Sequence, residues 1–276
     1  MPVADPSFGW QEAIAAFAVI SVVAFLVAWV VTDLGHVPRT PYVAILTLTT
    51  LALAGAYLAW SGTSLAALVT EGWAWGLLGG VVAAALVAPL VRRLPAGPRP
   101  EGARLVGLLL WEGVVYGGAE AILLATLPVL ALWQAADALG WTDTAWAMAA
   151  SGTLAVAGAL FVILVHHLGY REFRARASRR MLAGALVACG IQALAFLLTG
   201  NVLAPVVAHI VLHGELTLRG IEMPPTVASE AGFQWRRPHA GHQGPRTGEG
   251  ASRVGKSENT ASRRLVSGRS YLGDGW

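Results

Sequence analysis

Trp111-Glu112-Gly113-Val114-Val115-Tyr116-Gly117-Gly118-Ala119-Glu120 sets two carboxylates inside an apolar run that is otherwise long enough to cross a membrane. Charge is expensive there. A carboxylate near the centre of a bilayer costs about 2.5 to 3.5 kcal/mol on insertion scales, so it is expected to face the interior of a helix bundle and to mark a functional site. At the helical angle per residue, Glu112, Tyr116 and Glu120 fall within one sector of about 80°. Gly113, Gly117 and Ala121 form a small-residue ridge beside them on which another helix can pack. The stretch reads as one buried polar face.

Composition places this face in a membrane protein. The chain has 276 residues, 55% of them hydrophobic and 13% charged, with a mean hydropathy of +0.59. This is too apolar for a water-soluble domain and points to an all-α, polytopic transmembrane helical bundle. Apolar runs of about 18 residues or more mark the spans, and seven are expected. They are roughly Ala13 to Val31, Tyr42 to Trp60, Trp73 to Val91, Leu105 to Trp133, Trp146 to His167, Met181 to Leu198 and Asn201 to Leu218. The first lacks a basic segment before it and a small-residue cleavage site after it, so it reads as a retained helix. The fourth is longer than the hydrocarbon needs, and a tilt or a kink at Pro128 is expected. Cys189 is the single cysteine; it excludes an intramolecular disulfide and reads as a packing residue.

Charge orients the bundle. One set of alternate loops receives Arg39, then Arg92, Arg93, Arg99 and Arg104, then Arg171, Arg174, Arg176, Arg179 and Arg180, while the other set receives no Lys or Arg. The excess of cations on cytoplasmic loops puts the N-terminus outside and the C-terminus in the cytoplasm. The formal charge of +3 comes from these clusters beside the spans, which suit anionic lipid headgroups of the bilayer; no nucleic-acid partner is indicated. Residues 1–218 form the membrane domain. Residues 219–276 turn to Gly, Pro, Ser, Arg and His without apolar periodicity and read as a disordered cytoplasmic tail, with His239 and His242 in it.

With orientation set, depth follows from the helical rise. Glu112 lies about 10 Å in from the cytoplasmic start of its span, and Glu120 about 12 Å deeper. His166 and His167 end the fifth span, and they point about 100° apart, so only one of them faces a given point. His209 and His213 share a face of the seventh span. Glu112, His167, His209 and His213 therefore meet in the cytoplasmic half, with His166, Glu120 and Tyr116 as secondary candidates. A carboxylate and a histidine placed together can take a proton from water and pass it to a leaving amine, while a second histidine steadies the oxyanion. No cofactor is required. Alternatively His167, His209, His213 and Glu112 hold zinc, although the His-x-x-x-His pair has Ile210 where the metalloprotease helix has Glu.

The segment Thr199-Gly200-Asn201-Val202-Leu203-Ala204-Pro205-Val206-Val207-Ala208-His209-Ile210-Val211-Leu212-His213 resembles the third motif of the CAAX-processing and bacteriocin-processing (CPBP, Abi-like) intramembrane endopeptidases, a Gly-rich turn, Ala-Pro, then His-x-x-x-Asn. Glu112 to Gly118 resembles their first motif, Glu-Glu-x-x-x-Arg-Gly, and the span ending at His167 their second, Phe-x-x-x-His. The likeness covers about residues 105–218. It implies a divergent protease that cleaves a membrane-associated protein or peptide at the cytoplasmic side of a bacterial-type plasma membrane. By position, Glu112 and His167 would activate water and His209 and His213 stabilise the oxyanion. Gly113, Gly117, Ile163 and His213 replace the family's second Glu, Arg, Phe and Asn. The alternatives are a non-catalytic scaffold, or a proton-coupled carrier, which the lack of a paired repeat disfavours.

Overall fold

Seven apolar helices are found where hydropathy places them, with two short helices in the intervals between them, in a computed structural model that describes residues 4, 5, 7–175 and 179–221. They are α1 (Trp10–Leu34), α2 (Arg39–Ser61), the short α3 (Leu65–Thr70), α4 (Trp73–Arg92), α5 (Gly102–Ala138), α6 (Ala145–Gly169), the short α7 (Arg171–Arg174), α8 (Arg179–Thr199) and α9 (Leu203–Leu218). No strand occurs among the described residues. Six of these helices are long and apolar enough to cross a membrane. The seventh, α9, has 16 residues, about 24 Å of rise.

The ends of the helices sort into two groups. At one end, the Asp5 N–H donates to Ser61 O, Tyr57 bonds Gln134, and Asn201 donates to the carbonyls of Val69 and Glu71 at 3.0 and 2.8 Å. At the other end, Asp33 pairs with Arg174, Arg39 with Glu112 at 2.9 Å, and Arg92 with Glu215 at 2.7 Å. Exposed Trp10, Trp60, Trp73, Trp75, Trp141 and Trp146 all lie toward the first end. Such aromatic belts sit at the level of lipid headgroups. Although α9 is short, the Asn201 turn before it reaches the Glu71 carbonyl and its Glu215 pairs with Arg92, so it lies along most of α4.

Helix α5 is the axis of the bundle. Of its most apolar window 78% is buried, against 22–39% for the other five long helices, whose outward Leu, Val and Trp side chains face what would be lipid. Small residues let α4 and α9 close on one another. A Cβ on Gly76 would stand 2.5 Å from Asn201 Oδ1, and one on Gly80 would stand 2.8 Å from Val207 Cβ. The turn into α9 is pinned from within, because buried Asn201 also accepts the Leu203 N–H at 2.9 Å, while Gly200 takes the left-handed φ of 66° that ends α8. Cys189 is a free, buried packing residue, as expected.

The expected start of the tail needs adjustment. Gly97 N–H donates to Arg219 O at 2.9 Å and the Arg219 guanidinium donates to Leu94 O at 2.8 Å, so residues 219–221 still belong to the bundle. The rest of the expected tail, from 222 on, with His239 and His242, lies outside the described residues, as does Arg176.

Candidate functional site

Glu120 ends a single α-helical turn, Gly117–Glu120, set between two π-helical stretches of α5, Leu109–Tyr116 and Ala121–Thr126. A π turn closes i to i+5 and is found most often where a helix must re-aim functional side chains. The second stretch leads into Pro128. That residue has no N–H to return to Leu124 O, and the wider winding absorbs the loss, so α5 continues without a break. Thr126 fills in by donating its hydroxyl to Ala121 O at 3.2 Å.

Around the Glu120 carboxylate the structure gathers four side chains, one from α5 itself, one from α6 and two from α9. Its Oε1 accepts the Tyr116 hydroxyl at 2.5 Å and lies 3.4 Å from His166 Nε2. Its Oε2 faces His209 Nε2 at 3.1 Å and His213 Nε2 at 2.9 Å. All of these residues are buried, with Glu120 at 5%, His166 at 0%, His209 at 1% and His213 at 4% exposure. A carboxylate so removed from solvent stays folded in only if its lone pairs are met; the Tyr116 hydroxyl meets Oε1, and the imidazoles of His209 and His213 face Oε2.

Outer partners hold the inner ones. His166 donates its Nδ1–H to the Ala24 carbonyl of α1 at 2.8 Å, and His209 Nδ1 bonds Gln192 Oε1 of α8. The His209 and His213 rings stack 5.1 Å apart at 20°, one helical turn from each other, and Tyr116 meets His213 edge-on at 4.8 Å. Tyr170, one residue past α6, bonds His166 Nε2 at 3.0 Å and Tyr42 at 2.5 Å. Burial, with the Glu120 carboxylate near it, pushes the Tyr170 phenol well above its ordinary pKa, so it is neutral. The ridge of small residues has its expected use. A Cβ on Gly117 would lie 3.1 Å from His209 O, and Gly113 faces Gly214, so α9 packs directly on the polar face of α5.

Two of the four leading candidates fall elsewhere. Glu112 lies on the polar face but two turns away, where its carboxylate pairs with Arg39 Nε at 2.9 Å, and the Arg39 guanidinium rests on the Tyr116 ring at 4.7 Å from its centroid. His167 turns from the carboxylate, returning its Nδ1–H to Ile163 O at 2.8 Å and packing edge-on against Phe173 at 4.7 Å. Their places in the cluster are taken by Glu120 and His166, the secondary candidates, while His209, His213 and Tyr116 are where sequence reasoning puts them. The zinc set written with Glu112 and His167 is therefore not assembled. Glu120, His209 and His213 instead offer one ligand atom each, all within 4.8 Å of one another.

Equal depth alone does not select Glu112 over Glu120, because the π turns of α5 re-aim its side chains. Tyr42, Tyr170, Gln192 and Arg39 were missed altogether. Tyr42 and Tyr170 sit at span ends, where their type alone does not mark them, whereas Gln192, a lone amide in an otherwise apolar span, is a signal visible in the sequence.

Chemically, the arrangement offers one carboxylate with an orienting edge, Oε1 on Tyr116 and His166, and a second edge, Oε2, faced by two imidazoles. No family model, curated protein or solved structure matches the chain.

Proposed function

We propose that the protein is an intramembrane endopeptidase that hydrolyses a peptide bond of a membrane-associated protein or peptide with water activated at Glu120, and that it is a divergent CPBP-type enzyme. The observation that carries the reading is the convergence of one carboxylate and three histidines, brought from α5, α6 and α9, inside an otherwise apolar bundle. Buried ionisable groups are costly in a membrane protein and are kept where they act.

In this reading the Oε2 edge is the reactive one. Glu120 takes a proton from a water seated there as the water oxygen attacks the scissile carbonyl, and the same proton goes to the amine nitrogen as the C–N bond breaks. His209 and His213 face the oxygen on which negative charge develops. Tyr116 and His166 hold the carboxylate from behind. With the arginine-bearing ends in the cytoplasm, the half-buried Arg39–Glu112 pair lies on that side of the cluster. A bacterial-type plasma membrane is the setting the family likeness supports.

The test compares membrane-protein fragments by proteomics in cells carrying wild type, Glu120→Gln, His209→Ala or Glu112→Gln. Fragments present with wild type and Glu112→Gln and absent from the other two are expected. An identical pattern in all four would sink the protease reading in favour of a scaffold or a proton relay.

A further inference from the structure

We infer that Tyr170 is a positioning residue of the Glu120 site: it holds the neighbouring imidazole of His166 neutral, with its proton on Nδ1, and so leaves the carboxylate without a cation on its Oε1 edge. The tautomer follows from hydrogen bonding alone, while its bearing on hydrolysis rests on the hydrolase reading.

The local chain sets Tyr170 in place. Gly169 ends α6 against α1, where a Cβ would stand 2.7 Å from Ala28 Cβ and 2.9 Å from Phe25 O, so the two helices meet there only because the side chain is missing. Tyr170 itself is extended, with φ −79° and ψ 133°, and its N–H returns to His167 O at 3.1 Å. The backbone goes on to α7 while the Tyr170 ring is buried, 2% exposed and edge-on to His166 at 5.2 Å. Tyr42 of α2, fully buried, meets its hydroxyl.

Counting hydrogens assigns each donor. The Ala24 carbonyl can only accept, so the 2.8 Å bond to it places a proton on His166 Nδ1. In the neutral ring Nε2 is then an acceptor, and the Tyr170 hydroxyl 3.0 Å away donates to it. With that hydrogen spent, the 2.5 Å contact between the two phenols has Tyr42 as its donor. Tyr116 gives its own hydrogen to Glu120 Oε1 at 2.5 Å and stands farther off, at 3.4 Å, from the Tyr170 oxygen. The hydroxyls thus share one direction, from Tyr42 to Tyr170 to His166.

Distances separate this from a charged ring. An imidazolium that donates to a carboxylate stands about 2.7–2.9 Å from it. His166 Nε2 lies 3.4 Å from Glu120 Oε1 and closer to Tyr170. Without the Tyr170 hydroxyl, Nε2 is left with Oε1 within reach, so it takes up a proton from solvent and pairs with the carboxylate. A carboxylate that faces a cation at Oε1 is a weaker base at Oε2, and the water there keeps its proton.

Full-length protein in detergent micelles, with a heavy nitrogen isotope in its histidine rings, tests this by NMR, the His166 signals being assigned by their loss in His166→Gln. Wild type is expected to show one protonated and one bare ring nitrogen, Tyr170→Phe two protonated ones, and Tyr42→Phe the wild-type pattern, because Tyr170 keeps its hydrogen there. A purely structural role would treat the two buried phenols alike. Cleavage, read as fragment abundance in cells, should fall about tenfold to a hundredfold in Tyr170→Phe. A wild-type His166 protonated on both nitrogens, or bare on Nδ1, overturns the proposal whether or not the variants fold. So does an unchanged His166 pattern, or undiminished cleavage, in Tyr170→Phe. The expected patterns in a protein that cleaves nothing overturn the hydrolase alone.

Discussion

Glu120 Oε2 and His213 Nε2 meet at 2.9 Å across 93 residues of chain, and the contact fixes which carboxylate of the polar face belongs to the cluster. Glu112, eight residues earlier, has a guanidinium as its partner. One face thus carries two carboxylates with different tasks. The deeper one faces three imidazoles, and the shallower one neutralises a cation near the arginine-bearing ends.

Glu120→Gln is expected to reduce hydrolysis by about 10²-fold or more, the usual scale of a lost general base. Glu112→Gln should keep activity within about threefold of wild type, since the removed charge faces Arg39 rather than the histidines. Initial rates on a cleaved substrate, or fragment abundance in cells, measure both. Equal losses in the two variants would contradict the geometry.

The adjacent histidines should part company in the same way. His166→Ala removes the group that joins Ala24 of α1, Tyr170 and the Glu120 carboxylate, so both activity and stability fall. His167→Ala removes a ring packed on Phe173 and costs about 1–3 kcal/mol of stability with activity retained per folded molecule. Thermal unfolding in detergent alongside specific activity separates the two effects.

Gly117 and Gly118 offer a sharper comparison. A methyl on Gly117 meets His209 O at 3.1 Å and the His209 carbonyl carbon at 3.3 Å, so Gly117→Ala pushes α9 from α5 and destabilises by about 1–3 kcal/mol. Nothing lies within 4 Å of a Cβ on Gly118, and Gly118→Ala should gain about 0.5–1 kcal/mol from backbone entropy. Opposite signs in midpoint denaturation are the expected result.

Removing Arg39 leaves the Glu112 carboxylate, 22% exposed, without its guanidinium, and Arg39→Gln is expected to cost about 1–3 kcal/mol. The double variant Arg39→Gln/Glu112→Gln should recover part of this loss, because neither charge is then left alone. Unfolding free energies for the four members of this cycle give the coupling directly. A coupling near zero would mean that the pair is screened as a surface pair would be.

The architecture was legible in the chain itself. Bilayer thickness sets the length of an apolar run, and backbone hydrogen bonds must close within a helix where water is absent, so helix class and the places of the apolar helices follow from hydropathy without knowledge of packing, although six rather than seven of them reach spanning length. The polar face of α5, the glycine ridge beneath it and the paired His209 and His213 follow from periodicity, which is also local. The choice between Glu112 and Glu120, and between His166 and His167, is of another kind. It depends on π turns within α5, on the reach of Arg39 from α2, and on which rings find Ala24 and Gln192 in neighbouring helices. Those are contacts between residues far apart in sequence, settled by side-chain packing, and only the tertiary structure decides them.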